Sequence, residues 1–139
     1  MAKKFRGAEL VKEIDDMLDK GLARFVILTQ SKLSAANPVD TGRMASSWFV
    51  AKDSPSRDVA PERDSPGPVE IPKDYNPAEI KMDSDWYISN SLPYAERVAI
   101  DPVYAKGGRR GGADWFTRIQ NNLAKDADRA FDFFLRKVK

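Results

Sequence analysis

Apolar residues open this chain at the period of a helix. Leu10, Ile14, Met17, Leu18, Leu22, Phe25, Leu28 and Leu33 recur mostly at three- and four-residue steps, the spacing of one helical face. Lys12, Glu13, Asp15, Asp16, Asp19, Lys20 and Arg24 fill much of the remaining circumference. The pattern predicts a helix from roughly Ala8 to Ala35, about 42 Å long at 1.5 Å per residue. That is about twice the mean globular helix. A small domain rarely needs such a helix for its own core, so part of it is expected to pack on another subunit. Gly21 costs about 1 kcal/mol relative to alanine in mid-helix. It marks a kink, a close helix contact, or a break into two helices.

A second helical pattern closes the chain. Phe116, Ile119, Leu123, Ala127, Ala130, Phe134 and Val138 share a face behind Asp114, a candidate cap. Lys125, Arg129, Arg136, Lys137 and Lys139 lie toward its end, where cations complement the helix dipole.

The pattern changes between these helices. Asn37-Pro38-Val39-Asp40-Thr41-Gly42-Arg43 stops the first helix and turns the chain, because Pro38 cannot continue it and Gly42 admits unusual backbone angles. Ser47–Lys52, with Trp48 and Phe49, predicts a strand entering the core. Residues 53–68 hold four prolines and three serines, which argues against packed strand or helix. The expectation for them is an arm or long hairpin tip that orders on a partner, or a floppy surface insertion. Val69–Pro77, punctuated by Pro72 and Pro77, is at best an edge strand. Asp85–Asn90 predicts a strand with Trp86 and Ile88 on one face and Tyr87 and Ser89 on the other. Ser91–Val98 predicts a short helical turn capped by Ser91, and Gly107–Gly112 a flexible basic loop.

These elements predict one α+β domain over residues 1–139. A long N-terminal helix and a C-terminal helix pack on a small, mainly antiparallel β-sheet, with the proline-rich loop 53–68 inserted. The apolar fraction of 42% and charged fraction of 32% fit a globular chain. No apolar run approaches the roughly 20 residues that span a bilayer, so no membrane partner is expected. No apolar core follows the basic start, so a cleaved leader is not expected either.

Charge is unevenly spread. Residues 1–52 carry a net of +3, residues 53–90 a net of −5 and residues 91–139 a net of +4. Faces of opposite sign suit packing against copies of the chain or charged neighbours.

The chemistry is sparse. There is no histidine and no cysteine, which removes the commonest general base, the commonest metal ligand and the thiol nucleophile. The pairs Asp15/Asp16 and Asp83/Asp85 read as solvated acids rather than magnesium ligands. No Ser-x-x-Lys arrangement appears, and the glycines of 107–112 lack P-loop spacing. The reading is therefore not an enzyme, with no cofactor and no metal. Arg109 and Arg110, between glycine pairs, are candidates for phosphate contact. Asp126, Asp128 and Asp132 interleave with the cations of the last helix and argue against sequence-specific DNA binding.

Three motifs occur in order: Pro38-Val39-Asp40-Thr41-Gly42-Arg43-Met44 with Ser46-Ser47, then Asn90-Ser91-Leu92-Pro93-Tyr94-Ala95, then Ala113-Asp114-Trp115-Phe116 opening the last helix. With the long first helix, this resembles the tail-completion (neck, head–tail joining) protein family of tailed bacteriophages. That family typically shows a PVDTG corner, an N-x-x-x-YA element and an aromatic-led final helix. The chain departs from it in the proline-rich insertion, and in Glu96-Arg97-Val98 where the family often runs to a glutamate and glycine.

The resemblance implies a structural virion protein that forms an oligomeric ring at the phage head–tail junction. Such a ring joins the portal–connector complex to the tail. It implies partners among portal or connector (adaptor) proteins and tail tube or terminator proteins, non-specific contact with packaged DNA, and assembly in the host cytoplasm. Asp40, Thr41, Gly42 and Arg43 then form a structural corner, with Arg43 paired to an acid of the sheet. Trp48, Pro61, Pro66, Tyr94, Arg109 and Arg110 are candidate interface residues. Other readings remain open at this point: a tail terminator or connector subunit, or a small nucleic-acid-associated or toxin-like regulator using the basic Gly/Arg loop.

Overall fold

The computed structural model describes residues 7–39, 41–100 and 114–135. Their element order is α1 (Gly7–Ala36), β1 (Phe49–Lys52), a 3-10 turn (Pro77–Glu79), β2 (Trp86–Ser89), α2 (Ala95–Ile100) and α3 (Trp115–Leu135). This is the predicted α+β arrangement: a long first helix, a last helix and a small two-stranded antiparallel sheet.

Helix α1 is a single run of 30 residues, so the chain does not break at Gly21. Gly21 is a close helix contact instead. A Cβ there would stand 2.5 Å from Phe131 Cδ1 and 3.0 Å from Phe131 Cα. α3 runs antiparallel along α1: Trp115 joins Leu33 in one core cluster, Lys32 meets Asp126, and Phe131 covers Gly21.

β1 and β2 pair antiparallel with Phe49 opposite Ser89, Val50 opposite Ile88, Ala51 opposite Tyr87 and Lys52 opposite Trp86. Trp86 and Ile88 turn inward onto a cluster of Val26, Val50 and Ile80, while Tyr87 is exposed. This is the predicted alternation. Residues 53–76 contain neither helix nor strand, so the expected edge strand within Val69–Pro77 is not formed. There, the Pro72 carbonyl accepts from the Gln30 side chain, and Asn76 caps the 3-10 turn through its side chain.

The main core lies where α1, the corner, α2 and α3 converge. Leu33, Met44, Trp48, Leu92, Ala95 and Trp115 are buried together, with Phe116 and Ile119 against them. Trp48 meets Trp115 edge to face at 6.3 Å and stacks on Phe116 at 6.3 Å between ring centroids. Such aromatic pairs add about 0.5–1.5 kcal/mol beyond area burial.

α2 begins later than Ser91 would cap it. The Ser91 hydroxyl donates to the Ser56 carbonyl at 2.7 Å, and Asn90 Oδ1 accepts from the Leu92 N–H in its place. At the head of α3, the Asp114 carboxylate pairs with Arg118 at 3.0 Å.

Candidate interaction surfaces

The corner is built on a polar ladder inside α1. Gln30, Ser34 and Asn37 are all buried, at spacings of four and three residues. Gln30 Nε2 donates to the carbonyls of Trp48 and Pro72, both at 2.8 Å, and its Oε1 accepts from the Tyr75 hydroxyl at 2.8 Å. The Ser34 hydroxyl donates to the Ala45 carbonyl at 2.6 Å. Asn37 Oδ1 accepts from the Trp48 indole N–H at 3.1 Å. Every one of these partners lies outside α1, so the ladder fixes where the chain must go after the helix. Burial, and to a lesser degree Asp74, push the Tyr75 hydroxyl pKa above its ordinary value.

Beyond the ladder, residues 53–70 lie as a strap across the corner. The Ser47 hydroxyl donates to the Arg43 carbonyl at 2.6 Å and accepts from the Ala60 N–H at 3.0 Å. Arg43 Nε donates to the Ala60 carbonyl at 2.9 Å. Thr41 O accepts from the Gly67 N–H and from Arg63 Nη1, each at 3.1 Å, and Ser46 Oγ accepts from the Glu70 N–H. Gly42 has φ +91°, and a Cβ there would stand 2.8 Å from Arg63 Nη1 and 3.0 Å from Gly67 O. Thr41, Gly42 and Arg43 thus seat the strap as well as turn the chain. Arg43 does not pair with an acid of the sheet. Its nearest carboxylate is the exposed Glu62 of the strap, at 3.8 Å.

The other candidate interface residues separate. Trp48 is 6% exposed and belongs to the core, because its ring stacks on Phe116 and its N–H is taken by Asn37. Pro61, Pro66 and Tyr94 are exposed. Asp40, Arg109 and Arg110 lie outside the described residues.

Three further surfaces were not singled out by sequence. A groove of about 530 Å³ opens between α1, residues 82–88 and α3, walled by Leu22, Phe25, Trp86, Phe116 and Leu123, with Asp85 at its polar side. Its size and lining suit apolar side chains of a partner. On the other flank of α3, Lys32, Arg118, Lys125 and Arg129 surround a depression of about 390 Å³. Asp126 is its one lining carboxylate, and it pairs with Lys32 at 2.6 Å. The third surface is the first half of α1, which runs beyond Gly21. There Leu10, Ile14, Met17 and Leu18 are half-buried, and Val11 is 59% exposed.

Among the described residues no three His, Cys, Asp or Glu side chains gather as a metal site, and no helix is long and apolar enough to cross a membrane. Comparison of the chain with protein-family models, curated proteins and solved structures returned no match. The described surface carries an apolar groove, a cationic flank and a half-buried helix face.

Proposed function

We propose that this chain is a structural subunit of a phage virion that assembles into a ring at the head–tail junction, joining the portal–connector complex to the tail. The observation that carries the reading is the first half of α1, residues 7–20. The chain builds about 21 Å of amphipathic helix, at 1.5 Å per residue, beyond the glycine where α3 crosses it. A monomer gains little from that length, since helical stability in proteins comes mainly from packing an apolar face.

The ordered motif set around Pro38–Ser47, Asn90–Ala95 and Ala113–Phe116 supports the same reading through its resemblance to neck proteins. The rigid corner supports it too, because a subunit that works by contact needs its surfaces held in fixed relation. In this reading the protein is not an enzyme. Its partners are copies of itself, connector proteins and tail tube or terminator proteins, and packaged DNA passes the ring without sequence-specific contact.

Light scattering and negative-stain microscopy of the purified protein, with and without connector particles, test it. A ring, alone or on the connector, is the expected result. A monomer or dimer that ignores connectors but shifts a DNA or RNA probe, with affinity falling steeply in salt, overturns it in favour of a nucleic-acid-associated regulator.

A further inference from the structure

The side of α1 that meets α3 continues past the contact. Leu10, Ile14, Met17 and Leu18 precede Gly21 by eleven, seven, four and three residues, the spacings of one helix face. Leu135, the last described residue of α3, stands four residues beyond Phe131, which is about 6 Å along the axis. Leu10 lies about 16 Å beyond Gly21 on the same scale. The described structure leaves this end of the stripe half-buried, with Val11 beside it 59% exposed.

Charge discriminates among the surfaces a second copy can offer it. Residues 7–20 carry five carboxylates and two lysines, a net of −3. Stripe against stripe would set −3 on −3. The apolar groove is bordered by Asp85, and the adjacent Met82 N–H is held by the Asp19 carboxylate at 2.9 Å, so its mouth is acidic as well. The depression on the outer flank of α3 has the opposite sign. Four cations against Asp126 and the Asp114 carboxylate paired with Arg118 give it a net of +2, and Ala36, Ile119 and the aliphatic stems of its lysines and arginines offer apolar surface.

The acidic segment and the Lys32 end of the cationic flank are well separated along α1. Asp16 and Lys32 are sixteen residues apart, about 24 Å along α1. That is about three Debye lengths at physiological salt.

We propose that the first half of α1 in one copy lies on the flank formed by Lys32, Arg118, Lys125 and Arg129 of α1 and α3 in a second copy. This rests on the ring reading and names its contact. The apolar stripe supplies affinity. The charges supply steering and register, since single exposed ion pairs contribute only about 0–1 kcal/mol. The Arg118–Asp114 pair is at the surface and can exchange partners at small cost, whereas Lys32 stays with Asp126, whose carboxylate is only 13% exposed.

Charge-swap complementation tests the contact. One variant carries Asp15→Lys and Asp16→Lys; the other carries Lys125→Glu and Arg129→Glu. Sedimentation velocity is run on each and on their equimolar mixture, with circular dichroism to verify helix content. Each variant alone should lose about tenfold or more in self-association, and the mixture should return to within about threefold of wild type. Wild-type association should also weaken as the Debye length shrinks from about 10 Å at 0.1 M to about 3 Å at 1 M salt. Should a variant fail the helix check, Glu9→Lys with Glu13→Lys, or Arg118→Glu with Lys125→Glu, replaces it.

A mixture that stays as weak as its components overturns the proposal. So do variants that associate like wild type, or a wild-type chain that remains monomeric at its highest soluble concentration in low salt. The last result leaves the neck reading to connector binding. A complementing pair whose wild type stops at a dimer keeps the contact and removes the ring.

Discussion

The two ends of α1 are made of the same helix and treated in opposite ways. From Gly21 to Asn37 one face of the chain is buried against the sheet, residues 72–80 and α3, and Gln30, Ser34 and Asn37 turn their polar side chains inward on named partners. From Gly7 to Lys20 no residue is fully buried: the apolar stripe is half-buried, and Glu9, Asp15 and Asp16 are exposed. Burial and hydrogen bonding are largely satisfied at one end among the described residues, while the other end leaves part of its apolar area in water. The enclosed end therefore governs whether the chain folds, and in the proposed reading the open end governs what it joins.

Substitutions at the enclosed end should cost the most. Trp115→Ala removes a ring that is 1% exposed and packed against both Trp48 and Phe116. A loss of about 3–5 kcal/mol follows from the cavity and the lost transfer energy. Denaturant melts would show a midpoint shift of that size. A shift under about 1 kcal/mol would mean that α3 is held by something other than this cluster.

Gln30→Leu should come next, at about 2–4 kcal/mol. It is close to isosteric, so the cost is not a cavity. It leaves the Trp48 and Pro72 carbonyls without their side-chain donor and the Tyr75 hydroxyl without its acceptor. A neutral result would show that water reaches these groups and that the ladder does not fix the corner.

How far the sequence reveals this contrast depends on the kind of signal. Helix boundaries, the two strands and the inward face of Trp86 and Ile88 follow from apolar periodicity, which burial enforces directly. Gln30, Ser34 and Asn37 were missed because they are polar on an amphipathic helix, where the usual reading sends polar residues to solvent. Their four- and three-residue spacing was the available clue. Trp48 was expected at an interface because a tryptophan at a strand entrance is equally suited to both places; only the position of α3 decides. Prolines exclude strand and helix in residues 53–68 without saying where the coil lies, so an arm, a hairpin tip and a surface insertion are equally compatible with the sequence. The place of the coil is set by Arg43, Arg63 and Ser47, which carry no local pattern. The cationic flank joins Lys32 to residues about ninety positions later, so no window of sequence contains it.

Tyr75 offers a smaller, pH-dependent probe of the enclosed end. Its folded pKa is raised above the ordinary value near 10, so the folded state favours the neutral phenol. That contribution is fully present below about pH 10 and is lost as pH rises through the folded pKa. Tyr75→Phe should cost about 1 kcal/mol at neutral pH through the lost hydrogen bond. It should also flatten the decline of stability above pH 10 relative to wild type. Parallel declines in the two proteins would show that lysine deprotonation alone sets the alkaline limb.

The smallest effect on stability should fall at the open end, and there it is the most informative. Ile14→Ala removes apolar surface that the described fold buries only in part, and alanine is the better helix former. The monomer should therefore stay within about 0.5–1 kcal/mol of wild type. Self-association should nonetheless fall, because the deleted atoms are those that a second copy would cover. A comparable truncation inside the fold, Leu33→Ala, should reverse the pattern, with a large stability loss preceding any change in association. If Ile14→Ala melts like Leu33→Ala, the first half of α1 is part of the chain's own core, and the contrast between the two ends disappears. If it changes neither stability nor association, the stripe is not a contact surface, and the length of α1 needs another explanation.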